Sequence, residues 1–188
     1  YLNHNYYYHA NNDAWEGINY REDKWPLTYA LFANASSKHE QYTDSITIMT
    51  YMRYEDVQKW GDTFHTDTIG TLRGDDYEAF KKEKAETLID LVSEKFPGLR
   101  NAIKSYYVAT PLTYRDYQGT EDGSMYGISK DYKDTITTFV ASRTKIPNLF
   151  LTGQNLNLHG ILGVTISALM TCGEIIDINK LVNAIKSA

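Results

Sequence analysis

Residues Asn148 to Asp177 read NLFLTGQNLNLHGILGVTISALMTCGEIID, and no other stretch limits the fold as tightly. A short apolar run, Leu149-Phe150-Leu151, lies between Pro147 and Gly153. It is too short for a helix and suits a buried strand of a parallel sheet. From Gly163 to Ile176 the apolar residues Val164, Ile166, Leu169, Met170, Ile175 and Ile176 fall on more than one face, so a helix here is expected to be buried nearly all round. Strand, glycine-bearing loop and buried helix together aim backbone N–H groups and the positive end of a helix dipole at one point, which favours an anionic or electron-rich ligand. The alternative is that the glycines serve only tight turns and close helix–strand packing.

Upstream, three strands are expected over Asn5 to His9, Leu27 to Ala33 and Ser45 to Tyr54. In the last, Ile46, Ile48, Thr50 and Met52 share one face. Trp25-Pro26 and the polar run NASSKHEQYTD connect them. Glu55 to Trp60 reads as a short helix ended by Gly61. GDDYEAFKKEKAETLIDLVSEKFPGL is the clearest helix. Asp75 or Asp76 is its expected cap, Phe80, Leu88, Leu91 and Val92 its apolar stripe, and Pro97-Gly98 its stop. Its lysines and glutamates read as a solvated face. Ile103 to Thr110 is expected as a further strand, followed by a glycine-rich loop and an element over Ile136 to Ser142.

Charge and cysteine usage narrow the classes. The 19 basic and 24 acidic residues leave a net charge of −5 without an extended basic cluster, which argues against a nucleic-acid partner. Cys172 is the only cysteine, so no intrachain disulfide can form. Its place in the apolar helix predicts a buried, inert thiol. A reducing compartment fits, and the expected location is cytoplasmic with peripheral membrane contact left open. No run reaches the roughly 18 apolar residues of a spanning helix, and YLNHNYYYHANND is not a signal peptide.

ATPLTYRDYQGTEDGSMYGI followed by KIPNLFLTGQNLNLHGILGVTISALMTCGEII resembles the C-terminal part of the phytoene desaturase and carotenoid isomerase superfamily, most closely its all-trans-retinol 13,14-reductase branch. NHNYYYH, SITIMTYM and DDYEAFKKEKAETLIDLVSEKFPGL resemble it in the same order, so the likeness covers nearly the whole chain. It implies an FAD-dependent oxidoreductase acting by hydride transfer on an apolar polyene or isoprenoid, with NAD(P)H a candidate electron donor. Enzymes of this kind carry a Gly-x-Gly-x-x-Gly fingerprint, and none occurs here. The expectation is a C-terminal piece of a longer enzyme with an α+β fold. Residues 1–145 would be a mixed-sheet substrate-domain portion with flanking helices, and 146–188 the last strand, loop and helix of an FAD/NAD(P)-binding α/β domain. Such a fragment is expected to be inactive, to lack bound FAD and to self-associate.

Carried over by position, the resemblance places Gly153 and Gln154 at the strand end that approaches the FAD pyrophosphate and ribityl chain. Gly160, Ile161, Leu162 and Gly163 fall at the turn beneath the flavin ring, where N–H groups and the helix dipole stabilise negative charge on the cofactor. His159 is the candidate catalytic proton donor; the alternative is a solvated loop histidine. Tyr126-Gly127 either lines a substrate tunnel or supplies an aromatic core residue. His4 and His9 lack acidic or cysteine partners at ligand spacing, so no metal site is expected. A different class stays open beside the enzyme: a flavin-free module of the same fold that binds a hydrophobic ligand or a partner.

Overall fold

The computed structural model describes residues 4–34, 41–70, 72–156 and 158–187. The opening Tyr1-Leu2-Asn3 and most of the expected polar connection, residues 35–40, lie outside them. The chain is α+β and divides into two compact units, residues 1–123 and 124–188.

The first unit is built on an antiparallel sheet of β1 (Tyr6–His9), β2 (Thr28–Ala33) and β3 (Ile46–Met49), in that spatial order. Among the described residues the sheet is purely antiparallel, where a mixed one was expected. Register puts Tyr6 opposite Leu31 and Leu31 opposite Ile48, with Tyr8 opposite Tyr29, so these side chains share one face. Helix α1 (Asp75–Lys95) covers that face: Val92, Leu88 and Leu91 pack with Tyr29, Leu31, Tyr6, Tyr8, Ile46 and Ile48. Each fully buried side chain of this size contributes about 1.5–3 kcal/mol, so Leu31→Ala is the single change that most damages the layer. The cap of α1 is Gly74 at φ +91, with no side-chain bond, in place of either aspartate. Asp76 instead accepts a hydrogen bond from Trp60 Nε1 at 2.9 Å. The polar side of α1 is less solvated than expected, because Lys84 lies 5.0 Å from the Trp25 ring and 5.5 Å from the Phe80 ring.

The expected helix over Glu55 to Trp60 is two 3-10 turns, Tyr54–Asp56 and Gln58–Trp60. They supply Val57 and Trp60 to a second core cluster with Tyr77 and Leu112. After α2 (Leu99–Ala102), the expected strand over Ile103 to Thr110 is absent: the segment has no strand partner, and Tyr107 is 99% exposed. It leads into α3 (Pro111–Gln118), where Pro111 starts a helix and the Thr110 N–H donates to Thr113 Oγ1 at 3.1 Å.

In the second unit residues 135–138 form turns where an element over Ile136 to Ser142 was expected. The expected parallel strand Leu149 to Leu151 is an extended segment with one antiparallel bridge, Arg143 to Phe150, and Leu149 and Leu151 are exposed. A buried parallel strand needs flanking strands, and this unit contains none among its described residues. Helix α4 (Gly160–Ile176) begins earlier than Gly163 and is not buried all round. Gly163, Ser167 and Thr171 face inward, whereas Ile161 (91%), Leu162, Val164, Met170, Ile175 and Ile176 are exposed. Cys172 is likewise exposed rather than buried. Asp177 then caps α5 (Ile178–Lys186) by accepting from the N–H groups of Asn179 and Lys180. Among the described residues no helix is long and apolar enough to cross a membrane.

Candidate functional site

Gly163, Ser167 and Thr171 recur every fourth residue and so lie on one face of α4, against the segment that precedes it. Ser167, 1% exposed, holds both main-chain groups of Gly153: its Oγ accepts from the N–H at 3.3 Å and donates to the carbonyl at 3.2 Å. One turn on, the Thr171 hydroxyl reaches Leu151 O at 2.8 Å and Ser167 O at 3.0 Å. Two small hydroxyls therefore fasten residues 151–153 to the helix where larger apolar side chains would hold them off.

The glycines differ in what they do. A Cβ on Gly163 would stand 2.6 Å from Leu158 Cβ, so close packing alone requires glycine there. Gly153 at φ +107 and Gly160 at φ +74 have nothing within 4 Å of a built Cβ. Both occupy conformations that L side chains rarely adopt, and both face open space. The N–H groups of the first turn of α4, from Gly160 to Gly163, have no intrahelical partner by the geometry of any helix start. An open-sided glycine loop at the positive end of a 17-residue helix has the donors and the clearance that an anionic or electron-rich ligand needs.

Segment 126–130 lies against this loop. Ile128 N–H donates to Asn155 Oδ1 at 3.2 Å, and Lys130 Nζ donates to Asn155 O at 3.1 Å. A Cβ on Gly127 would come within 2.4 Å of Gln154 O. The Tyr126 ring lies 4.4 Å from that of His159, tilted by 44°, and both residues are exposed. His159, the residue before the helix, makes no capping bond with its side chain.

The structure thus brings Gly153, Gln154, His159, Gly160, Ile161, Leu162 and Gly163 into one loop-and-helix start, with Tyr126-Gly127 beside them. It adds Ser167, Thr171, Asn155 and Lys130. The repeated small residues Gly163, Ser167 and Thr171 inside an apolar helix were the available signal for the first two. Nothing in the sequence pattern marks Asn155 or Lys130. Among the described residues no group of three or more His, Cys, Asp or Glu side chains could hold a metal ion.

No family model matches the chain, and no solved structure does. Curated proteins do. The chain is 32% identical over 159 residues to the human all-trans-retinol 13,14-reductase, covering 82% of the chain and 26% of that protein. It is 30% identical over 157 residues to the Macaca fascicularis protein of the same name, with the same two coverages. It is 29% identical over 135 residues to the Danio rerio one, covering 70% of the chain and 21% of the relative. The chain is therefore related, along most of its own length, to the all-trans-retinol 13,14-reductases, and it spans about a quarter of the length of these curated relatives.

Proposed function

We propose that the chain is the part of a longer FAD-dependent oxidoreductase that saturates, desaturates or isomerises a conjugated apolar molecule of retinoid, carotenoid or isoprenoid type, with NAD(P)H as candidate reductant. The superfamily resemblance and the reductase name of the relatives support this reading. The observation that carries it is the open-sided loop of Gly153 and Gly160 at the start of α4.

In this reading residues 146–188 close a flavin domain and residues 1–145 belong to the substrate domain. FAD, when bound, supplies hydride exchange. Gly153 gives the cofactor backbone clearance and Gln154 a side-chain amide to bond it. The N–H groups of Ile161, Leu162 and Gly163 would be the donors that stabilise negative charge on the bound flavin. His159 is the candidate proton donor to the reacting double bond, and the Tyr126 ring lies 4.4 Å from it. The sheet face turned away from α1 presents Tyr7, 65% exposed and edge-on to Phe32 at 6.1 Å. Ala30 and Met49 are its register neighbours. The exposed Tyr7 ring, edge-on to Phe32, suits one wall of a polyene site.

The isolated 188-residue chain is proposed to contain no FAD and to pair with another copy through the exposed apolar residues of α4. The test is expression from the complete reading frame, a flavin absorbance scan, and product analysis with all-trans-retinol or a carotenoid plus NAD(P)H. A yellow protein that converts the polyene is expected. A colourless protein that binds polyenes without converting them would establish the flavin-free binding module instead.

A further inference from the structure

One charged group anchors segment 126–130 to the glycine loop. Lys130 is half-buried, and its ammonium donates to Asn155 O at 3.1 Å and to Thr138 O at 3.0 Å. Both acceptors are neutral carbonyls. Among the described residues no carboxylate lies within 4.0 Å of this ammonium. The acids close by in sequence bond the local backbone: Asp131 accepts from the Lys133 N–H at 2.8 Å and Asp134 from the Thr137 N–H at 3.2 Å. An ammonium has three hydrogens to donate, and taking it partly out of water without a counter-charge is unfavourable. Asn155 is held from both ends, its carbonyl by Lys130 and its side chain by the Ile128 N–H. Gly127 allows Gln154 O to approach where any Cβ would collide.

We infer that Lys130 is a positioning residue for the flavin cofactor. It fixes the Gln154-Asn155 turn through the Asn155 carbonyl and contributes a positive charge, in no ion pair with a described carboxylate, that an electron-rich ligand of this loop would meet. The inference rests on the FAD reading above. It adds that segment 126–130 is the second wall of the cofactor site and that its cation acts on the cofactor's electronics as well as on the shape of the loop. Charge acts across several ångströms when the intervening medium is partly desolvated, so direct contact between Lys130 and the flavin is not required.

The test uses the flavoprotein expressed from its complete reading frame. Lys130→Met keeps an unbranched stem and removes the charge; Lys130→Arg keeps the charge. The expected result for Lys130→Met is FAD binding weaker by about tenfold, the scale of one lost charge-assisted bond, together with a more negative flavin midpoint potential. Lys130→Arg should return the potential to the wild-type value. Gly127→Ala supplies a second arm that leaves the charge in place: it should weaken FAD binding without moving the potential. Unchanged affinity and potential in Lys130→Met would overturn the inference. So would weakened binding in both lysine variants with an unmoved potential, since that is the signature of support alone. Unchanged FAD affinity in Gly127→Ala would remove segment 126–130 from the site. A wild-type protein that binds no FAD is a separate outcome: it overturns the flavin reading, and the role of Lys130 with it.

Discussion

Replacing Asp116 by alanine should cost the first unit more than any change on its surface. The carboxylate is fully buried, with a side-chain exposure of 0%, and receives three donors. Oδ2 accepts from the His65 N–H at 2.8 Å and from Arg73 Nη2, and Oδ1 accepts from Arg115 Nε at 2.8 Å. Arg73 is itself 4% exposed and also donates to Thr63 Oγ1 at 2.7 Å. Arg115 reaches Gly61 O at 2.5 Å and bonds Thr63 O. One carboxylate thus ties the loop 61–73 to α3. Its removal leaves a buried guanidinium without a counter-charge, a situation worth about 3–5 kcal/mol, against a typical total of about 5–15 kcal/mol for a domain. Urea denaturation followed by the fluorescence of buried Trp60 measures it. A loss below about 1 kcal/mol, the range of exposed ion pairs, would refute the assigned role.

The same group makes a pH prediction. Burial pushes the Asp116 carboxyl upward, but the bonds from the His65 N–H, Arg115 and Arg73 outweigh it and hold the pKa below the ordinary 3.8. A folded pKa below the unfolded one stabilises the protein fully above the ordinary value, and that contribution is lost as pH falls through the depressed one. Wild type and Asp116→Asn should therefore differ most above about pH 4 and converge in stronger acid.

Tyr20 titrates the other way. Burial first, then its bond to Asp56, pushes its hydroxyl up to about 12, so stability should decline between the ordinary value of 10.0 and about 12; Tyr20→Phe, followed by alkaline difference absorbance and melting, should lack that decline. Ser167→Ala should destabilise the second unit by about 1–3 kcal/mol, because both main-chain groups of Gly153 lose their partner. Thermal melting checks it, and an unchanged midpoint would detach Ser167 from the loop. Gly163→Ala should cost a comparable amount, about 1–3 kcal/mol, through overlap with Leu158; a neutral result in the same assay would show that Leu158 moves aside.

What was legible in the sequence is what local chemistry decides. The three strands of the first unit and α1 follow from alternation and from the Pro97-Gly98 stop; β1, β2 and α1 stand close to the expected bounds, whereas the third strand ends at Met49, five residues short of the expected Tyr54, which opens a 3-10 turn instead. A glycine-rich loop was expected after Thr110, yet proline is favoured at the first position of a helix, and Thr110 and Thr113 set that start. Helix α5 went unread although Asp177 and the spacing of Ile178, Leu181, Val182 and Ile185 announce it. The strand readings over 103–110 and 149–151 failed for a different reason: extended backbone becomes strand only beside a partner, and apolar content cannot say whether one is present. At the site the glycines were visible as such. The division of labour between Gly163, which packs, and Gly153 and Gly160, which face open space, depends on neighbours that only the fold supplies. Lys130 and Asn155 were invisible because any lysine or asparagine can serve, and position alone selects these two.

The grip of Ser167 on Gly153 has a consequence for time as well as shape. A loop amide usually exchanges its hydrogen with water through small local fluctuations. The Gly153 N–H is held by a hydroxyl rooted in the middle turns of α4, so it can be released only when the helix itself opens or Ser167 changes rotamer. Its exchange should track the helical amides around Ser167 rather than those of exposed Asn155, and the two segments should behave as one cooperative unit. A ligand that settles on this loop would then slow exchange several turns along α4, at amides it never touches.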